Sequence, residues 1–101
     1  MAVKLETREN VIVARLEGEI DHHTARELRE EIDEAVEQAR PRELVLDFGE
    51  VSFMDSSGIG LILGRFRMMR LFSGKLSVTG ADPRIRTMMK LAGIEKIVDS
   101  G

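Results

Sequence analysis

The stretch Val51-Ser52-Phe53-Met54-Asp55-Ser56-Ser57-Gly58-Ile59-Gly60-Leu61 decides how this chain reads. Before it, Leu44-Val45-Leu46-Asp47-Phe48 is an apolar run of strand character. After it comes a long apolar segment of helical character. Asp55, Ser56 and Ser57 therefore stand where a loop turns into a helix. Short oxygen-bearing side chains accept hydrogen bonds from the free N–H groups of a first turn. That end also carries the positive pole of the helix dipole and binds anions. A phosphate added to a hydroxyl there would be well tolerated. On residue type alone, Asp55 or Ser56 is simply a cap. Gly58 and Gly60 argue for more, since a glycine in a helical turn weakens it by about 1 kcal/mol relative to alanine. Such glycines mark close approach of another backbone or a ligand. The plainer alternative is close packing on the sheet.

Outward from this stretch, strands and helices alternate. Val3-Lys4-Leu5-Glu6-Thr7 and Val11-Ile12-Val13-Ala14-Arg15-Leu16 read as strands, and Arg8-Glu9-Asn10 between them predicts an antiparallel hairpin. Gly18 to Asp21 breaks the pattern. Ala25, Leu28, Ile32, Ala35, Val36 and Ala39 recur at helical spacing, which predicts a helix from about Thr24 to about Arg40, ended by Pro41. Leu44 to Phe48 is the third strand, and Ser57 to Phe72 the second helix, closed by Ser73-Gly74. Leu76 to Thr79 is a fourth strand. Asp82-Pro83 opens a third helix, with the acid as cap and the proline in the first turn. Gly93 closes it, and Ile97-Val98 reads as a last short strand.

Strands separated by helices pair in parallel through right-handed crossovers. Parallel strands buried on both faces would be unbroken apolar runs, yet these alternate. The fold class expected is therefore α/β: one mixed, mostly parallel sheet in sequential strand order, with helices mainly on one face and an N-terminal hairpin. The second helix is apolar nearly all round. Ile59, Ile62, Leu63, Phe66 and Met69 form one face, while Leu61, Met68 and Phe72 form another. Such a helix is either covered by its neighbours or docks a partner.

Composition removes several function classes. With 101 residues there is room for one domain, and 43% hydrophobic with 33% charged residues suits a globular protein. A net charge of −3 gives no electrostatic footprint for nucleic acid. Without cysteine there are no disulfides and no thiolate chemistry. Four Phe are the only aromatics, too few for a base-stacking platform. Neither a signal peptide nor a membrane-spanning run is evident, so the cytoplasm is expected and a membrane partner is not.

Chemical motifs are equally sparse. Gly58-Ile59-Gly60-Leu61-Ile62-Leu63-Gly64 follows a strand and opens a helix, but its third glycine comes one residue late for a dinucleotide site. Asp21-His22-His23 suggests a metal, yet adjacent helical residues diverge and no other His or Cys completes a site. The simpler reading is a solvated helix start with His23 or Thr24 as cap. Ser56 is not flanked as in a nucleophile elbow. No cofactor and no metal are expected. The charges from Arg26 to Glu34 read as the solvated face of the first helix.

Gly18-Glu19-Ile20-Asp21-His22-His23-Thr24-Ala25, Ser52-Phe53-Met54-Asp55-Ser56-Ser57-Gly58-Ile59-Gly60 and Ile62-Leu63-Gly64-Arg65 together resemble the anti-sigma factor antagonists of the STAS domain family, most of all the sporulation branch. The resemblance spans nearly the whole chain, residues 1–101. It implies a partner-switching protein rather than an enzyme. In that family the unphosphorylated antagonist binds an anti-sigma factor that is also an ATP-dependent serine kinase, in its ATP- or ADP-bound state, and the sigma factor is released. The kinase then phosphorylates the serine after the motif aspartate, and a PP2C-type phosphatase resets it. By motif the acceptor is Ser56, with Ser57 its nearest competitor. The implied partner surface comprises Asp21, His22, Asp55, Ser57, Gly58, Ile59, Gly60 and Arg65. Asp21 is expected near Ser56, because both follow the C-terminal ends of neighbouring parallel strands.

Family members usually continue with another helix past the position of Ser100, whereas this sequence stops at Gly101. Lack of that helix would expose apolar surface near Ile94, Ile97 and Val98. Two other classes stay open: a STAS-like module binding a nucleotide or small ligand at the glycine-rich turn, and a scaffold subunit of a stress-sensing complex.

Overall fold

The opening hairpin forms from β1 (Val3–Arg8), which alternates apolar and polar residues at its start, and β2 (Val11–Ile20), whose residues alternate between buried and half-buried from Val11 to Glu17. They pair antiparallel, Val3 opposite Leu16 and Arg8 opposite Val11. Glu9 and Asn10 turn the chain with φ of 49° and 70°, the left-handed pair that matches strand twist in a two-residue turn. The computed structural model describes residues 3–95 and 99–100. From β2 the chain continues as α1 (His22–Ala39), β3 (Glu43–Met54), α2 (Ser56–Leu71), β4 (Lys75–Thr79), α3 (Pro83–Leu91) and β5 (Asp99–Ser100). The sheet order is β1-β2-β3-β4-β5, parallel from β2 onward.

Alternation along the strands selects the covered face. Ile12, Ala14, Leu16 and Ile20 of β2, Leu44, Leu46 and Phe48 of β3, and Leu76 and Val78 of β4 are buried. They meet Leu28, Ile32 and Val36 of α1, Leu61, Ile62 and Met69 of α2, and Ile85 and Met89 of α3 in one core. The other face carries polar contacts such as Arg15 Nε to Asp47 Oδ2 at 3.3 Å. One face packed and one face polar is what the alternation implied. The doubled apolar surface of α2 also has its reason: α2 lies between α1 and α3 and packs on both. Only Leu71 at its end is left largely exposed among the apolar residues of α2.

Several sequence expectations need correction. First, Gly18 does not end β2. The strand runs to Ile20 and β3 runs to Met54 beside it. Their pairing slips by one residue between Arg15 and Glu17 and again between Gly18 and Glu19. Gly18, at φ 84°, supplies the left-handed backbone this bulged region uses. Second, Val51 to Met54 belong to β3 and not to a loop, so the loop before α2 shrinks to Asp55. Third, α1 starts at His22 and is capped by Asp21, not by His23 or Thr24. Ile94 is buried (2% exposed) instead of bared. The strand read at Ile97-Val98 lies outside the described residues. Among the described residues, no helix is long and apolar enough to cross a membrane.

Candidate functional site

The site is built where β2 and β3 end together. Ile20 pairs with Met54, and the Asp55 N–H donates to the Ile20 carbonyl at 3.1 Å. Asp21 and Asp55 therefore leave the sheet side by side, each on extended backbone and each capping the helix that follows. Asp21 Oδ1 accepts from the Thr24 N–H at 2.9 Å. That backbone donor holds the Asp21 carboxyl below its ordinary range. Asp55 Oδ1 accepts from the Ser57 N–H at 2.8 Å, and the Asp55 carbonyl accepts from the Gly58 N–H at 3.0 Å.

Ser56 is the first residue of α2 and is exposed. Among the described residues nothing hydrogen-bonds its hydroxyl. Ser57 is half-buried. The two glycines of the first turn separate cleanly. A Cβ on Gly58 would collide with Cγ and Sδ of Met54, so Gly58 is buried by close packing on the strand end. A Cβ on Gly60 would meet nothing within 4 Å, and packing gives no reason for that glycine. Ile59 is half-buried and Gly60 exposed.

Asp21 and His22 are exposed on the same edge, and His23 turns away to Glu27, its Nε2 3.8 Å from Oε2. Arg65 does not join them at the surface. It is 6% exposed, and its Nε lies 2.9 Å from Asp33 Oδ1 of α1. The two atoms are close yet not aligned as a hydrogen bond, so the contact is an ion pair with unused bonding capacity. Burial raises the Asp33 pKa and lowers that of Arg65, with the mutual attraction working against both shifts. Arg65 thus ties α2 to α1 from within.

A feature the sequence reading missed is a shallow apolar groove on the other side of Ser56. Phe53, 49% exposed, lies with Met54, Ile85 and Met88 around about 220 Å³ of space. Arg84 borders it and donates from Nη2 to the Ser52 carbonyl at 3.3 Å. Phe53 was read as part of a motif. Its exposure follows from the two bulged residues of β3, which re-aim the strand end.

A model of the STAS domain family matches residues 2–100. The chain belongs to the STAS domain family. The anti-sigma F factor antagonist of Paenibacillus polymyxa is 34% identical over 98 residues, 97% of this chain and 84% of that one. The unphosphorylated anti-sigma factor antagonist SpoIIAA superposes with a TM-score of 0.87 at 33% identity, over 99% of this chain and 88% of that chain. The Bacillus cell fate determinant SpoIIAA in its phosphorylated form gives 0.79 at 33% identity, covering 99% and 91%. The same fold thus carries both covalent states in that relative. In this STAS domain, the exposed Asp21, His22, Ser56 and Gly60 share one edge, whereas Gly58 and Arg65 support it from below.

Proposed function

We propose that this STAS domain is an anti-sigma factor antagonist that acts by partner switching. Unphosphorylated, it binds an anti-sigma factor serine kinase and frees the sigma factor; phosphorylation of Ser56 ends that binding. The observation that carries the reading is the placement of Ser56. It is exposed, first in α2 and next to the paired caps Asp55 and Asp21, and its hydroxyl makes no hydrogen bond among the described residues. Ser57 is the poorer acceptor, being half-buried at the groove between α1 and α2.

The physics of the switch needs only local charge. Phosphate brings roughly −1.5 to −2 charges. Beside Asp21 and Asp55, that charge confronts a partner surface fitted to a neutral hydroxyl. A PP2C-type phosphatase resets the protein, which acts in the cytoplasm, catalyses nothing itself and contacts neither nucleic acid nor membrane. Incubation with an anti-sigma F kinase and ATP, followed by mass spectrometry of the modified peptide, tests the proposal. One phosphate on Ser56 is expected. Modification at Ser52, Ser57 or a histidine would overturn the assignment.

A further inference from the structure

The groove between α1 and α2 adjoins the switch surface and shares His22, Ser57, Gly60 and Arg65 with the expected partner face, but the switch itself needs no occupant in it. It encloses about 480 Å³. Arg26 and Arg29 of α1 stand along it, Arg65 of α2 lies deep in it, and His22 and Ser57 flank its mouth. No carboxylate lines it, in a chain whose net charge is −3. Glu30 reaches Arg26 from outside at 4.0 Å, and Asp33 backs Arg65. Three cations therefore face the groove while only two acids stand behind them.

Two further observations point to an occupant. Arg65 is more than nine-tenths buried, and among the described residues none of its nitrogens makes an aligned hydrogen bond. Its ion pair with Asp33 leaves hydrogen-bonding capacity unused, which buried polar groups normally spend. Gly60 and Gly64 lie along the α2 wall, and a Cβ on either would meet nothing within 4 Å. They leave open space in the groove without making room for any neighbour in the fold. Guanidinium forks and a serine hydroxyl near a helix start are the groups that recognise phosphate-like oxyanions. The lining includes no Phe, and His22 at the mouth is its one ring.

We infer that the α1–α2 groove is a binding site for a small oxyanion of phosphate chemistry, recognised through Arg26, Arg29 and Arg65. The site reads the phosphate group alone. It needs no kinase and no modification of Ser56.

The test is titration of the isotope-labelled chain with pyrophosphate at constant ionic strength, read by amide chemical shifts. Saturable shifts at Ser57, Gly60, Gly64 and along residues 25–29 are expected. Arg29→Gln removes an exposed cation, and Gly64→Leu fills the groove without changing its charge. Each should weaken binding at least tenfold while thermal melting shows an intact fold. ADP should bind within about threefold of pyrophosphate. Shifts that grow linearly and match those caused by chloride would overturn the site, as would unchanged affinity in both variants. A tenfold preference for ADP would show that a base is read and would overturn the assignment to a plain oxyanion. Because the free chain is titrated, failure here leaves the partner-switching reading untouched, and failure of kinase phosphorylation leaves the groove untouched.

Discussion

Two helix starts lie side by side in this domain and are built differently. Both follow a strand end, both are capped by an aspartate on extended backbone, and their strands pair at Ile20 and Met54. At α1, Asp21 Oδ1 bonds the third N–H beyond it, and the Ala25 N–H returns to the Asp21 carbonyl at 2.9 Å. That is an ordinary α-helical first turn. At α2, Asp55 Oδ1 bonds the second N–H beyond it, and its carbonyl takes the Gly58 N–H, a tighter turn. Gly58 permits it by pressing its bare Cα against Met54. The same cap residue yields a solvated helix start in one case and, in the other, a tight turn that presents an uncommitted hydroxyl.

The largest effect should come from charge at the first residue of each helix. Ser56→Ala should bind the anti-sigma kinase normally and never be released by ATP. Ser56→Asp should lose two to three orders of magnitude in affinity, about 3–4 kcal/mol. His22→Asp, the matching position of α1, should lose less than tenfold. Calorimetry with the kinase measures all three. Equal losses for the two aspartates would mean that the starts are not functionally distinct. Equal affinity of Ser56→Ala and Ser56→Asp would show that charge at Ser56 is not the switch.

The glycines of α2 test the packing half of the comparison. Gly58→Ala must displace Met54 at the sheet edge and should cost about 1–3 kcal/mol. Gly64→Ala adds a methyl into open space in a helix interior and should gain up to about 1 kcal/mol. Urea unfolding gives both numbers. A stabilising Gly58→Ala would mean that the tight turn is not set by Met54.

These two glycines also show how far the sequence alone reaches. Period and punctuation located every helix, the hairpin and the sequential sheet, because apolar spacing reports which face is covered. They could not tell Gly58 from Gly60 or Gly64, since the difference is whether Met54 or empty space lies opposite. Gly18 looked like a strand break because a bulge and a turn use the same backbone. Its meaning depended on β3 continuing alongside. The pair Arg65–Asp33 is separated by 32 residues and appears only once α1 and α2 pack. Arg65 therefore read as surface when it is buried. Ser56 was legible because cap, hydroxyl and helix start are local.

Acid should erode the caps in a definite direction. Backbone donors hold the Asp21 and Asp82 carboxyls below their unfolded value of 3.8, Thr24 for the first and Ile85 for the second. As pH falls, the unfolded chain takes up these protons first, so stability is present above 3.8 and is lost as pH drops through the folded values. Asp33 has the opposite sign. Its pKa is raised by burial, so its contribution is present at low pH and fades as pH rises through the folded value. Asp21→Asn keeps a capping oxygen and should flatten the acid limb of the stability curve. An unchanged limb in denaturant melts taken from neutral pH to below 3.8 would mean that the Asp21 carboxylate is no better bonded folded than unfolded.

The smallest expected effect is that of phosphate on the fold itself. Ser56 is exposed and first in α2, where the dipole is positive. An anion there gains a few tenths to about 1 kcal/mol. Against this stands repulsion from Asp21 and Asp55, which share the edge but are solvated enough for salt to screen it. The two terms nearly cancel, so the phosphorylated protein should melt at the same temperature or slightly above. Because Asp55 and not Ser56 anchors the first turn, the helix start has no bond to lose when the hydroxyl is modified. Backbone movement should stay below about 1 Å, as on other preorganised surfaces. Scanning calorimetry and circular dichroism of the two forms decide it. A marked fall in melting temperature, or loss of helix, would mean that phosphate unwinds the tight turn. The contrast between the two helix starts would then lie in their stability and not in the surface they present.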